Sequence, residues 1–334
     1  MQVVIDILEN ELIEKYPGLL GILLRDQTTQ KNIFWATDNY EHLGDSYRFN
    51  SEILPDLITG EKGNVIMPRV QKDKTLQLSR SKEMAEVFTP SWICNAQNNL
   101  VDNSWFGTES VFNKEILLKN GTKSWEITKE KIAFPKDKTW EDYVRDTRLE
   151  ISCGEAPYLV SRYDTTTGEF IEIENRIGIL DRKLRVVNEN LDSTDEWLKA
   201  VETAFKSTYG FEWQGDSLLL AREALLITFI ENFTHKFEIE PTLETIQNIA
   251  QIISWNIWQM DGLKGVIPNS CKNEIIEIID FFETKKEIKK CKGCETQNIK
   301  LHNGIYCYIM DWEEKDNVTA KAGKIIRFID LLKK

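Results

Sequence analysis

The sequence predicts an α/β protein built on a doubly wound, parallel-rich sheet with helices on both faces. Three observations carry that expectation. Short apolar runs alternate with helix-length segments, as in LEISC at 149–153, YGFEW at 209–213 and ISWNIW at 253–258. The first run stops at a glycine turn, Cys153-Gly154, in the way a strand enters a nucleotide site. Residues 216–235 carry Leu218, Leu219, Leu225, Leu226, Phe229, Ile230 and Phe233, a wide apolar stripe suited to lying on a sheet.

The elements follow in order. A helix is expected over residues 3–16, ended by Pro17-Gly18. LLGILL and NIFWAT are short apolar pieces between polar turns, and Gly60-Glu61-Lys62-Gly63-Asn64 turns the chain before VIMPRV. Residues 1–80 read as a small N-terminal unit, followed by units at 81–284 and 285–334. Thr89 suits an N-cap and Pro90 a first helical position, where no backbone donor is needed. The helix they start, over 91–101, places Trp92, Ile93, Ala96 and Leu100 near one face. Residues 104–145 turn at Asn120-Gly121, which reads as a hairpin or a helix-to-strand turn. A polar turn and a helix fill 163–190, and WLKAVETAF at 197–205 is a helix leading into YGFEW. Asp216 suits the cap of the helix that follows, THKFEIEP breaks the pattern, and Thr242 caps a helix over 242–253. IYCYIM at 305–310 is read as the fourth strand, after which the sheet stops.

Composition narrows the class. A hydrophobic fraction of 41% over 334 residues suffices for a packed core, and no apolar run approaches the ~18 residues of a membrane-spanning helix. The N-terminus lacks the basic start of a secretory signal. With no such signal, six cysteines point to a reducing cytoplasm. The net charge of −12 argues against tight unaided binding to nucleic acid, because phosphate contacts need basic surface. It leaves open a local patch or a partner. Lys285, Lys286, Lys289, Lys290 and Lys292 form the one clear basic cluster, readable as a phosphate contact or as a solvated helix end.

Two groups of side chains could carry chemistry. Glu212 and Asp261 end apolar runs, where an acid can bind a ribose diol or merely cap a helix; Trp213 sits beside the first. Cys291-x2-Cys294, His302 and Cys307 surround the Asn303-Gly304 hairpin turn, which could gather them around a tetrahedral zinc. Cys271 is a spare ligand, and the competing reading is a surface CxxC with two unrelated neighbours. Cys153 lacks an arguable histidine partner for nucleophilic work, since His42, His235 and His302 lie in unrelated contexts.

The order Phe88-Thr89-Pro90, then Cys153-Gly154-Glu155-Ala156, resembles the adenine-N6 DNA methyltransferases of restriction–modification systems. So do the phrases TPSWICN, GEAPYLVSRYDTTTGE, RIGILDRKLRVVNEN and WNIWQMDGL, which are similar to those of restriction endonuclease subunit M proteins. The resemblance covers roughly residues 80–262. It implies a Rossmann-like sheet that binds S-adenosylmethionine (SAM) through Phe88, Thr89, Pro90, Cys153, Gly154, Ala156, Glu212, Trp213 and Asp261. It also implies a DNA substrate and a partner such as a specificity or nuclease subunit. The chain departs from the family twice. Ala156 stands where the family has its second glycine, at a position where positive φ would not suit a methyl group. The Pro-Pro acceptor motif is absent, leaving Asp311-Trp312 as the positional candidate for amine acceptor and base-stacking ring. Two functions therefore stand: a SAM-dependent adenine-N6 methyltransferase, or a catalytically degenerate accessory subunit working through a partner.

Overall fold

The computed structural model describes residues 9–72, 89–279, 284–315 and 322–332. The architecture is mixed α/β. Helices α1 (Glu9–Lys15) and α2 (Leu19–Leu24) are divided by Gly18, whose φ of 80° lets the chain reverse. Leu19, Leu20, Leu23 and Leu24 are buried in the same apolar cluster as the long helices described below. The N-terminal segment, including short helix α3 (Pro55–Ile58), thus shares the main core.

Helix α4 (Ser91–Phe106) is inverted relative to its apolar pattern. Leu100 is 69% exposed, whereas Asn95, Asn98, Asn99 and Asp102 are buried. The reason is Arg182, fully buried, which donates to Asp102 Oδ2 (2.6 Å), Asn95 Oδ1 (2.9 Å) and Asn99 Oδ1 (2.8 Å). A buried guanidinium demands such partners, and the polar face of α4 supplies them. The helix start also differs from expectation. Pro90 is the cap residue, and the Ser91 N–H is satisfied by Asp164 Oδ2 at 2.7 Å, a cap supplied from a distant loop.

Strands β1 (Asn113–Leu117) and β2 (Lys123–Ile127) form an antiparallel hairpin around Asn120-Gly121. Helix α5 (Trp140–Arg145) opens with a Thr139–Asp142 capping box. The parallel sheet comes next: β3 (Arg148–Ile151), helices α6 (Ile179–Asn190) and α7 (Thr194–Lys206), β4 (Thr208–Glu212), helices α8 (Gly215–Phe237) and α9 (Leu243–Asn256), and β5 (Ile257–Gln259). The strands lie in the order β3-β4-β5, all parallel, with Phe211 paired to both Ile151 and Trp258. Thr242 caps α9 through Thr245 N. Arg222 of α8 is fully buried and donates to the carbonyls of Leu23, Arg25, Ser254 and Ile257, tying the N-terminal segment, α9 and β5 together.

One face of this sheet is covered throughout and the other over β4 and β5, while Leu149 and Ile151 of β3 stay exposed, unlike the doubly helical expectation. The buried residues of α6, α7, α8 and α9 join Ile257 in the main core. The other face presents Tyr209, Phe211 and Trp258 to a second cluster with Met260, Ile267, Cys307, Ile309, Ile326 and Phe328. An antiparallel hairpin, β8 (Tyr308–Lys315) with β9 (Ala322–Arg327), contributes Ile309 and Ile326 to that cluster, with Cys307 and Phe328 flanking it. IYCYIM is therefore not a fourth parallel strand. It leads into β8, which pairs with β9, and the parallel sheet has three strands among the described residues. Between β5 and this hairpin lie the antiparallel pair β6 (Glu274–Ile279) and β7 (Thr284–Lys289), then helix α10 (Lys292–Thr296). No helix among the described residues is long and apolar enough to cross a membrane.

Candidate functional site

The carboxyl ends of β3 and β4 are held together by side chains that the sequence singled out. After β3 the chain passes through a loop with three left-handed residues: Ser152 (φ 52°), Gly154 (φ 54°) and Ala156 (φ 60°). Such conformations cost non-glycine residues of order 1–3 kcal/mol and persist where surrounding contacts impose them. Ala156 tolerates its conformation because the turn is bonded on both sides. Its N–H donates to Cys153 O (2.7 Å), and its carbonyl accepts from Leu159 and Val160. The glycine-like backbone is thus kept without the glycine.

Glu212, at the end of β4, closes the loop from below. Its Oε2 accepts from Gly154 N at 2.9 Å, and its Oε1 accepts from Trp213 N (2.9 Å) and Gln214 N (3.1 Å). Burial pushes this carboxyl above its ordinary range, against those three N–H groups. Glu155 turns the other way: it accepts from Arg69 N and the Tyr163 hydroxyl, anchoring the N-terminal segment beside the loop. That segment crosses the strand ends. The Trp213 indole donates to Ala36 O (3.3 Å), and Gln259 Nε2 donates to Phe34 O and Trp213 O, both at 2.8 Å. A Cβ on Gly215 would sit 2.2 Å from Phe34 O, so only glycine allows this crossing. Asp261 organises its own turn, accepting from Leu263 N (3.1 Å) and pairing with Lys264 at 2.8 Å.

Glu150 escaped the sequence reading, although it occupies the acidic position of the Glu-x-x-Cys-Gly string. The residue as a whole is half-buried, but its Oε2 is sealed from solvent and lacks a hydrogen-bond partner. Burial pushes its carboxyl well up, opposed by N–H groups of Tyr158 and Leu159 and reinforced by the nearby Glu212 charge. The Cys153 thiol is likewise pushed far up by burial and by both acids, which removes thiolate character and with it the nucleophile reading. Cys94, pushed up to about 12 by burial and then by Glu150, is equally inert.

The remaining site residues are placed as follows. The Thr89 carbonyl accepts from the Thr165 hydroxyl (3.2 Å), and Pro90 begins α4; Phe88 lies outside the described residues. Asp311 and Trp312 are not at the carboxyl edge. The Trp312 indole donates to Asn256 Oδ1 at 2.7 Å and its ring lies 5.5 Å from Lys206 Nζ. Asn256 immediately precedes β5 and Lys206 lies two residues before β4, so this tryptophan sits at the amino ends of the strands. The Asp311 carboxylate accepts from Glu313 N. Antiparallel pairing with β9 draws β8 across the sheet face and away from the loop.

Four donors gather elsewhere. Cys271, Cys291, Cys294 and His302 bring their ligand atoms within 4.8 Å of one another, a group able to hold a metal ion. Cys307 is not a member. It is buried in the second apolar cluster and its thiol donates to Gln259 O at 3.4 Å. Cys271, the spare in the sequence reading, takes its place. Burial opposes the Cys291 thiolate, but N–H groups of Asn303 and Cys294 bring that thiol down to about 6. Cys271, partly desolvated and beside the other thiols, is pushed up to about 12. Of the lysine cluster, Lys289 and Lys290 are exposed beside the site.

No family model, curated protein or solved structure matches this chain.

Proposed function

We propose that this chain binds SAM at the carboxyl ends of a Rossmann-like half-sheet, β3-β4-β5, as a methyltransferase-like subunit that acts on DNA through a partner. The observation that carries the reading is the buried, unpaired Oε2 of Glu150, whose carboxyl also feels the Glu212 charge, beside a left-handed loop. A buried acid oxygen without a partner is costly and calls for an explanation. A ligand bearing a sulfonium and an ammonium supplies the missing positive charge. The Gly154 turn lets such a ligand approach the backbone, and Glu212 Oε2, which accepts one hydrogen bond and has a second lone pair, suits a ribose hydroxyl.

The accessory version is favoured over a self-sufficient enzyme. Asp311 and Trp312 lie at the strand ends opposite the loop, so they do not serve as acceptor and stacking ring for an amine methylated there. The net charge of −12 gives little unaided attraction for duplex DNA at physiological salt. In this reading the base pocket and the DNA contacts come from a partner subunit.

Calorimetry with SAM tests it. Burial raises the Glu150 carboxyl in the free protein, and a bound cation favours the ionised form. Binding should therefore release a proton, and affinity should grow with pH, levelling above the raised value. Glu150→Gln should weaken SAM about tenfold or more, the scale of a lost charged partner, and abolish the proton release. Absence of SAM binding by the wild type would overturn the reading.

A further inference from the structure

We infer that Cys271, Cys291, Cys294 and His302 bind one zinc ion that staples the segment after β5 to the C-terminal part of the chain. The inference stands apart from the SAM reading. His302 Nδ1 lies 3.5 Å from Cys271 Sγ, 3.7 Å from Cys291 Sγ and 3.6 Å from Cys294 Sγ. Zinc–sulfur bonds of about 2.3 Å and zinc–nitrogen bonds of about 2.0–2.1 Å give tetrahedral N···S edges of about 3.5–3.6 Å. The three contacts match that edge. Hydrogen bonding does not account for them, since an imidazole nitrogen has a single in-plane lone pair and can accept from one thiol. Three sulfurs converging on one nitrogen need a common cation at their centre. Donors all within 4.8 Å leave room for a single ion and not for a cluster.

The surroundings are shaped for the same purpose. The Asn303 N–H points at Cys291 Sγ (3.2 Å), a donor that stabilises a ligating thiolate. Gly293, inside the Cys-x-x-Cys turn, lies so close to His302 that a Cβ would be 2.6 Å from its ring. Lys264 and Asp261, paired at 2.8 Å, line the same recess of about 220 Å³ as Cys271, Cys291 and Cys294. With four protein ligands no position is left open, so the ion is structural.

What it staples follows from the backbone. Cys271 closes the segment that begins at Asp261, while Cys291, Cys294 and His302 belong to the segment that continues into β8. The two already meet at Ile267 N to Ile305 O (2.8 Å) and Cys307 N to Gly265 O (3.1 Å). Met260, one residue before Asp261, donates to Glu212 O at 2.9 Å. The ion therefore fixes the loop that adjoins the end of β4.

The test uses the full chain purified under reducing conditions without chelator. Elemental analysis should find about one zinc per chain. Cys271→Ser should lower that several-fold, and Cys307→Ser should leave it unchanged. Should Cys271→Ser fail to fold, cobalt(II) titration of the chelator-stripped wild type gives a second readout: intense tetrahedral thiolate bands are expected. Zinc-free protein that takes up no added zinc, an octahedral cobalt spectrum, or zinc lost with Cys307 and kept without Cys271 would each overturn the assignment.

Discussion

The strand-end loop and the thiol–imidazole cluster solve the burial of polar groups in opposite ways. At the loop, Glu212 is satisfied by three backbone N–H groups from its own strand end and the neighbouring turn, so the site is organised by main chain. In the cluster, three sulfurs crowd one ring nitrogen, and the arrangement makes sense around an ion that the protein itself does not supply. The difference teaches that main-chain donors can preorganise an acid once two strand ends meet, whereas converging thiols and imidazole call for a cation.

The sharpest way to break the comparison is Glu212→Ala. It strips the acceptor from Gly154, Trp213 and Gln214 at once, and a lost charged acceptor costs about 1.5–3 kcal/mol even when one donor is orphaned. Urea unfolding should show a loss at or above the upper end of that range. A loss below about 1 kcal/mol would mean that the turn is held by something other than this carboxylate.

Gly293→Ala probes the other region. The new methyl group meets the His302 ring, a contact that forces movement at a cost of about 1–3 kcal/mol. Hydrogen exchange should quicken around residues 291–306, and zinc retention should fall, while α8 stays protected. Unchanged exchange and full retention would show that the Cys-x-x-Cys turn is not closely fitted to the imidazole.

Ser152→Gly carries the smallest effect. Ser152 is exposed and left-handed, so glycine relieves its conformation without opening a cavity. A gain of about 0.5–1 kcal/mol in urea unfolding is expected. Destabilisation instead would show that its side chain helps to hold the loop.

By itself the sequence determined whatever is encoded within a few residues. The stripe over 216–235, the Thr242 cap, the Asn120-Gly121 hairpin and the strand ending at Glu212 each follow from periodicity or a local hydrogen bond. The Cys-x-x-Cys and His302 triplet was legible because the three lie within twelve residues; a short helix and a 3-10 turn, rather than the expected hairpin, place them nearby. Tertiary structure alone decided which remote side chains meet. The Asp164 cap on α4 and the Arg182 partners that turn its polar face inward come from segments far along the chain. Cys271 rather than Cys307 completes the cluster, because β8 carries Cys307 into the apolar layer under the sheet. Asp311 and Trp312 ended opposite the loop for a related reason. Direction and pairing of a strand are set by what its two faces bury, and a run such as IYCYIM is apolar enough for either a parallel neighbour or a hairpin partner.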